Sequence, residues 1–506
     1  MRAQIKAQPF FLLMMGISAL AMFVPATHAS ILNAHAEARA FFYSGLLLLI
    51  FTCMVAIARN SGGERRQGLM HNLLALCAGF TILPLFLAVP FYEGLKTTTF
   101  VNAYFEMVSS LTTTGATLFD PARLSPSLHL WRAIVGWFGG LLIWIAAAAV
   151  LAPLSLGGFE VTASGEPGQS ANGGPRGDID PHQRILRVAG TLTPVYAGLT
   201  FSLFVLLLIL GDRPLVALSH AMAVMATSGI SPVGGLPGAA SGMVGEFLLA
   251  LFMLFALSRV TFSRDTLVGS RGTVLGDPEF RLGLLLVVAV PLLLFLRHWV
   301  AALEGGEQAT AQAGALWQAL WGAGFTVLSF LSTTGFESAH WGVAESWSGL
   351  KTPGLLFLGL GMIGGGVATT AGGVKLLRVW ALYLQGLREM DRMMHPSSVG
   401  RSGRGGRRLR KQGAFVAWIF FMLFATSLLL FSMIMGAYVP DLEQAVILAV
   451  AALSTTGPMI VSAAEQPIAL ADMAASGKLF LCAAMVIGRL ELLAIIALAS
   501  NYLGRE

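Results

Sequence analysis

Four times this chain places a short run of hydroxyl side chains and a glycine at the end of an apolar segment too short to cross a membrane. The copies are Thr112-Thr113-Thr114-Gly115-Ala116-Thr117, Thr227-Ser228-Gly229-Ile230-Ser231, Ser332-Thr333-Thr334-Gly335-Phe336-Glu337 and Ser454-Thr455-Thr456-Gly457-Pro458-Met459. They recur about 110 residues apart, an internal repeat of the kind that builds pores and transporters. The preceding runs are Thr99 to Leu111, Pro214 to Ala226, Ala319 to Leu331 and Asp441 to Leu453. A helix of about 13 residues is about 20 Å long, against a hydrocarbon core of about 30 Å. Each run therefore enters the membrane and stops inside it, and the hydroxyl-glycine stretch carries the chain back out.

Irregular backbone at that depth cannot face lipid, so it lines a watery cavity or is buried in protein. Four such stretches around one axis give rings of carbonyl oxygens that replace the water around a cation. Each short helix also points its negative C-terminal end at the ring. For a single copy, small-residue helix packing is the plainer explanation; four copies, each after a half-length helix, favour a filter.

The 506 residues are 56% hydrophobic and 11% charged, against about 25% charged in a soluble domain. The chain is expected to be an all-α polytopic membrane protein, with two N-terminal helices followed by four helix–pore-loop–helix repeats around one pore. The expected divisions are two transmembrane helices in 1–71, pore repeat 1 in 72–160, a cytoplasmic loop in 161–187, repeat 2 in 188–281, repeat 3 in 282–390, a basic cytoplasmic loop in 391–413 and repeat 4 in 414–506. The flanking long helices fall at about 72–91 and 130–153, 188–211 and 243–258, 282–303 and 353–385, and 414–438 and 474–500.

Residues 1–29 have the basic start, apolar run and small residues of a secretory signal, or are a retained first helix with its N-terminus in the cytoplasm. Retention places Arg59, Arg65 and Arg66 on the cytoplasmic side. Most of the 32 Lys and Arg then lie in cytoplasmic segments, as the positive-inside rule requires. This distribution explains the net charge of +6 without nucleic acid. The densest cluster, Arg401, Arg404, Arg407, Arg408, Arg410 and Lys411, is either a topology determinant beside anionic lipid or a docking surface for a cytoplasmic partner. Gly165 to Gly177 reads as a flexible loop. Cys53, Cys77 and Cys482 have no metal-ligand spacing and suggest no disulfide framework.

Gly359-Leu360-Gly361-Met362-Ile363-Gly364 fits a dinucleotide fingerprint but lies in an apolar segment with no βαβ unit around it. The stretch that follows carries more. Gly364, Gly365, Gly366, Gly372 and Gly373 put five glycines in ten residues, followed by Val374 and Lys375. Such a run does not hold a straight helix, so the second helix of repeat 3 should break in mid-membrane. The alternatives are a mobile loop under the filter or tight small-residue packing. Lys375, Arg378 and Arg489 are membrane-embedded cations, which usually face a cavity or a partner. Arg378 could simply sit at a helix end. Arg489 is either a positive barrier below the filter or a structural donor to loop carbonyls. Glu491 is poorly placed to pair with it along the helix. Glu106 and His220, inside the first and second short helices, read as structural. No protease or hydrolase signature is present, and the chain is not expected to be an enzyme.

Several motifs together resemble the TrkH-type potassium uptake subunits of the Trk/Ktr/HKT superfamily. They are Leu111 to Thr117, Trp137-Phe138-Gly139-Gly140, Asp277-Pro278-Glu279-Phe280-Arg281, Ala368 to Lys375, His395-Pro396 and Gly488-Arg489-Leu490-Glu491, and the resemblance covers nearly the whole chain. It implies a homodimer in the bacterial inner membrane with one pore per subunit. It implies potassium as the transported ion, held by carbonyls beside each filter glycine: Thr113 and Thr114 with Gly115, Thr227 and Ser228 with Gly229, Thr333 and Thr334 with Gly335, and Thr455 and Thr456 with Gly457. It further implies an intramembrane gating loop at about Gly364 to Gly373 and a TrkA-type cytoplasmic nucleotide-binding ring as partner. The last filter lacks the asparagine common in the family, and Ser228 stands where a second glycine is common. A sodium- or proton-coupled symporter of the same superfamily is the alternative; the filters' hydroxyls and carbonyls, in place of carboxylates, favour the channel-like pore.

Overall fold

Four helices end inside the molecule, and each ends at a threonine with left-handed backbone. The computed structural model describes residues 8–60, 69–154, 156–159, 181–258, 277–305, 313–350, 352–395 and 411–503. The four short helices are Phe100–Leu111, Pro214–Ala226, Ala313–Leu331 and Leu442–Leu453. The first is capped by Thr99, whose side chain accepts from the Asn102 N–H, and the second opens with proline at its first position. The third is longer than the 13-residue run that its hydropathy suggests, because it begins at Ala313.

Around them, among the described residues, stand seven helical segments long and apolar enough to cross a membrane: Phe10–Ile31, His35–Ala58, Met70–Leu95, Pro126–Leu154, Pro181–Ile209, Pro278–Arg297 and Gly413–Met435. The chain is a multi-pass membrane protein. Its polarity is inverted relative to a soluble domain: Phe201, Leu293 and Leu429 are each about two-thirds exposed on the outer helices, while Thr112, Thr114, Thr334 and Thr456 are fully buried at the centre.

The second long helix of each repeat is interrupted. In repeat 1, Pro126–Ala146 loosens into a wider π turn at Ala147–Leu151; in repeat 2, Gly242–Met253 tightens into a 3₁₀ turn at Leu254–Leu257. In repeat 3, Pro353–Ile363 stops at Gly364 and helix resumes only at Leu376–Met394, the break its glycines predict. Repeat 4 departs from the single helix expected over 474–500. Ala475–Leu490 ends at Glu491, whose φ of 65° is left-handed, and Leu492–Leu503 follows. Nothing apolar marks that break; its reason is a partner far off in sequence, described below.

The two N-terminal helical segments pack on repeat 1. His28 Nδ1 lies 3.0 Å from Ser127 Oγ, Ser125 Oγ donates to Glu37 at 2.7 Å, and Phe41 meets Trp131 edge to face. The basic cluster Arg401, Arg404, Arg407, Arg408 and Arg410, the stretch Gly165–Gly177, and Arg65 and Arg66 lie outside the described residues.

Consecutive glycines wedge the helices together. A Cβ on Gly139 would sit 1.9 Å from the Leu111 carbonyl oxygen, and one on Gly140 2.8 Å from Ala226 Cα. Trp137-Phe138-Gly139-Gly140 thus lets one helix lie against the ends of two short helices. Gly488 repeats the device against the Leu453 carbonyl oxygen, at 2.2 Å.

Buried polar groups within the short helices tie down the outgoing strands. Glu106 accepts from the Leu118 N–H at 2.6 Å and the Thr117 hydroxyl at 2.8 Å, and its other oxygen lies 3.0 Å from Arg132 Nε. His220 Nε2 is 2.9 Å from Ser231 Oγ, and Thr326 Oγ1 accepts from the Ser338 N–H at 3.2 Å. These three occupy equivalent places in repeats 1, 2 and 3, so Glu106 and His220 are structural, as their sequence setting suggests. Glu106→Gln keeps an acceptor for Leu118 but leaves Arg132 buried without its counter-charge. That loss costs about 3–5 kcal/mol. The variant should melt well below wild type in a thermal unfolding assay, and Glu106→Gln with Arg132→Met should recover much of the difference.

Candidate functional site

The C-terminal ends of the four short helices share one hydrogen-bond pattern. In repeat 1 the Thr113 N–H donates to the Ser110 carbonyl at 3.0 Å and the Thr114 N–H to the Ser109 carbonyl at 2.9 Å. The same pair of bonds joins Thr227 to Val224 and Ser228 to Ala223, Thr333 to Phe330 and Thr334 to Ser329, and Thr455 to Ala452 and Thr456 to Ala451. This is a Schellman ending, whose left-handed residue is ordinarily glycine. Here it is Thr113 (φ 56°), Thr227 (φ 50°), Thr333 (φ 60°) and Thr455 (φ 54°). A β-branched residue in that region is strained by roughly 1–3 kcal/mol. Four strained threonines at four equivalent positions are held there by the surrounding structure.

The turns meet as a closed ring. A Cβ on Gly115 would lie 1.8 Å from the Ser228 carbonyl oxygen, and one on Gly229 2.2 Å from that of Thr334. A Cβ on Gly335 would lie 3.1 Å from the Pro458 ring, and one on Gly457 2.5 Å from the Thr114 carbonyl oxygen. Each repeat therefore touches the next, and the fourth returns to the first. Gly115, Gly229 and Gly335 have left-handed backbone, but Gly457 does not. The fourth glycine is needed for close approach, not for its turn. Its N–H donates to the Thr114 carbonyl at 2.6 Å, and the Thr456 carbonyl accepts from the Met459 N–H at 3.2 Å as a short helix, Met459–Ser462, begins. Among the described residues the carbonyls of Thr113, Thr227, Thr333 and Thr455 accept no such backbone bond. Of the eight carbonyls named from the sequence, those of Thr114 and Thr456 are thus the two that accept such a bond.

Hydroxyls reinforce the turns: Thr112 Oγ1 lies 2.8 Å from Thr114 Oγ1, Ser332 Oγ 2.9 Å from Thr334 Oγ1, and Ser454 Oγ 3.1 Å from Thr456 Oγ1. Repeat 2 has Ala226 at this place and cannot form the pair.

The glycine-rich loop lies directly against the ring and touches every repeat. The Gly372 N–H donates to Thr333 Oγ1 at 2.8 Å, and a Cβ on Gly372 would lie 2.1 Å from the Ser454 carbonyl oxygen. Thr370 Oγ1 donates to the Met225 carbonyl at 3.2 Å, and Gly158 faces the Val367 side chain. The loop is closed at its base, where the Val374 and Lys375 N–H groups donate to the Met362 and Ile363 carbonyls at 2.9 Å. Gly364 and Gly373 take left-handed backbone there, and Gly365 and Gly366 approach the Ala256 and Leu257 carbonyls too closely for a side chain. Of the Asp277-to-Arg281 motif, Glu279 accepts the Val367 N–H at 3.0 Å and Asp277 holds the Ser258 hydroxyl.

The buried cations divide. Arg489 Nη1 donates to the Thr370 carbonyl at 2.7 Å, the structural bond weighed from the sequence, and the Lys375 ammonium donates to the Ala371 carbonyl. Arg378 does sit at a helix end, in the first turn of Leu376–Met394, but that end is buried. It is fully buried, its Nη2 is 2.7 Å from Glu491, and its guanidinium stacks 3.6 Å from the Phe420 ring centre. This pair is the reason for the helix break at Glu491: an unbroken helix would carry the carboxylate away from Arg378. Sequence spacing could not reveal it, since 113 residues separate the partners.

A family profile described as "Cation transport protein" (TrkH) matches residues 253–504. The Trk system potassium uptake protein TrkH of Vibrio parahaemolyticus is 30% identical over 403 residues, 78% of each chain. That of Escherichia coli (strain K12) is 29% identical over 456 residues, 88% of each chain. The crystal structure of the potassium transporter TrkH from Vibrio parahaemolyticus superposes with a TM-score of 0.78 over 98% of both chains, at 24% identity. The short helices, the ring they end on and these similarities agree: the chain belongs to the TrkH family of cation transport proteins.

Proposed function

We propose that the chain takes up potassium across the bacterial inner membrane through one pore, with the four-turn ring as its selectivity filter. The observation that carries this reading is the ring itself, closed from repeat to repeat, with a strained threonine at the end of each of its four short helices. The relatives are named as potassium uptake proteins. Carbonyls of Thr113, Thr227, Thr333 and Thr455 replace the ion's hydration shell, joined by those of Ser228 and Thr334; Thr114 and Thr456 join only if their backbone bonds open. Potassium is cargo, and no resident cofactor is needed for the passage. The short helices' C-terminal dipoles favour the cation.

The loop from Gly364 to Gly373, with Lys375 behind it, is the gate, lying across the path below the filter. Arg489 fixes the loop through Thr370 and adds a positive barrier. A unit charge about 6 Å from a cation contributes roughly 3 kcal/mol at an effective dielectric constant of about 20. A TrkA-type nucleotide-binding ring on the cytoplasmic side relieves this closure. The division into two N-terminal helices and four pore repeats, a cytoplasmic side for the N-terminal segment, a homodimer and contact of the basic loop with anionic lipid complete the reading.

Gly115→Asp places a carboxylate where even a methyl meets the Ser228 carbonyl. Rubidium-86 influx in a transport-deficient strain, at equal membrane expression, should fall to the level of the empty strain; unchanged influx would remove the filter assignment. Deleting Val367 to Thr370 removes the loop's ties to Glu279, Met225 and Arg489. Liposome flux through the purified variant should rise without the partner and lose its dependence on the partner's nucleotide. A folded deletion variant with wild-type basal flux and regulation would place the gate elsewhere.

A further inference from the structure

Two buried cations share one small cavity beneath the filter with a single carboxylate, Glu491, and neither makes an ion pair among the described residues. Lys375 and Arg489 are 7% and 4% exposed, and both line a cavity walled by the backbone of Gly157, Gly372, Gly373 and Gly488. Arg489 spends only Nη1, on the Thr370 carbonyl; its Nε and Nη2 have no hydrogen-bond partner. The Lys375 ammonium has the Ala371 carbonyl. Among the described residues no ion pair involves either side chain. Glu491 also lines the cavity, but its Oε2 is held by Arg378 at 2.7 Å.

Burying charge is costly, and here Lys375 and Arg489 share one carboxylate that Arg378 already engages, so positive charge is left in excess around the cavity. Carbonyl dipoles compensate only in part. The free edge of Arg489 matters most, because Nε–H and Nη2–H form the parallel donor fork that binds anions elsewhere. We infer that this cavity binds a small monovalent inorganic anion, chloride among those a cell supplies, between the Nε/Nη2 edge of Arg489 and the Lys375 ammonium. The site stands on the cavity and its donors alone; its consequence, a weaker positive barrier for a passing cation, rests on the pore reading above.

The experiment uses crystals of the full chain soaked in rubidium bromide, with anomalous data collected at the bromine and the rubidium absorption edges. A bromine peak is expected within hydrogen-bonding reach of Arg489 Nε and Nη2, absent in Arg489→Gln and reduced in Lys375→Gln. In case Arg489→Gln does not fold, equilibrium binding of radioactive chloride to purified wild-type protein should give one saturable site per chain, displaced by bromide. No bromine peak, or one that persists in a folded Arg489→Gln, overturns the anion site. Rubidium at the filter without bromine in the cavity overturns this inference and leaves the uptake reading standing. Bromine without rubidium supports the anion site and counts against the filter.

Discussion

The left-handed threonine that ends each short helix is the constraint on which the rest of the structure depends. A Schellman ending uses the two carbonyls behind it and frees those that follow. Had Thr113, Thr227, Thr333 and Thr455 continued as helix, their carbonyls would be consumed by the next turn and the chain would run on toward the far side of the membrane. The strain of a β-branched left-handed residue persists only where neighbours over-determine it. Those neighbours are visible: the hydroxyl pairs around Thr114, Thr334 and Thr456, the ties made by Glu106, His220 and Thr326, and the glycines that let long helices press on the helix ends.

The four-fold pattern is approximate, and its departures are informative. Repeat 4 ends without a left-handed glycine, turns at once into a short helix, and has Leu448 where the other repeats have Glu106, His220 and Thr326. It is also the repeat against which Gly372 of the loop packs, and the one whose second helix breaks to bring Glu491 to Arg378. The loop is nevertheless held from all sides, since Met225, Ala256 and Glu279 of repeat 2 and Gly158 of repeat 1 also touch it.

Much of this was legible in the sequence because hydropathy and length are one-dimensional signals. The half-helices ending at Leu111, Ala226, Leu331 and Leu453, and the break after Ile363, follow from apolar run length and glycine content. Other features were not legible, because they depend on partners distant in the chain. The Arg378–Glu491 pair spans 113 residues, and the left-handed residue at the break is a glutamate where a glycine would announce it. The bond that takes up the Thr114 carbonyl, from the Gly457 N–H, depends on how repeat 4 closes on repeat 1. The Asp277-to-Arg281 motif could be quoted as a resemblance, but its work, holding Val367 and Ser258, appears only in three dimensions.

The central claim is that one ring of backbone oxygens, imposed by four threonine-ended helices, discriminates among cations. The most direct measurement is the reversal potential of the purified chain in planar bilayers under bi-ionic conditions, potassium on one side and sodium on the other at equal concentration. The account predicts a reversal potential displaced strongly toward that of potassium, and little displacement when rubidium replaces sodium. A current that reverses near zero with potassium against sodium, in a protein that conducts and is correctly folded, would contradict it.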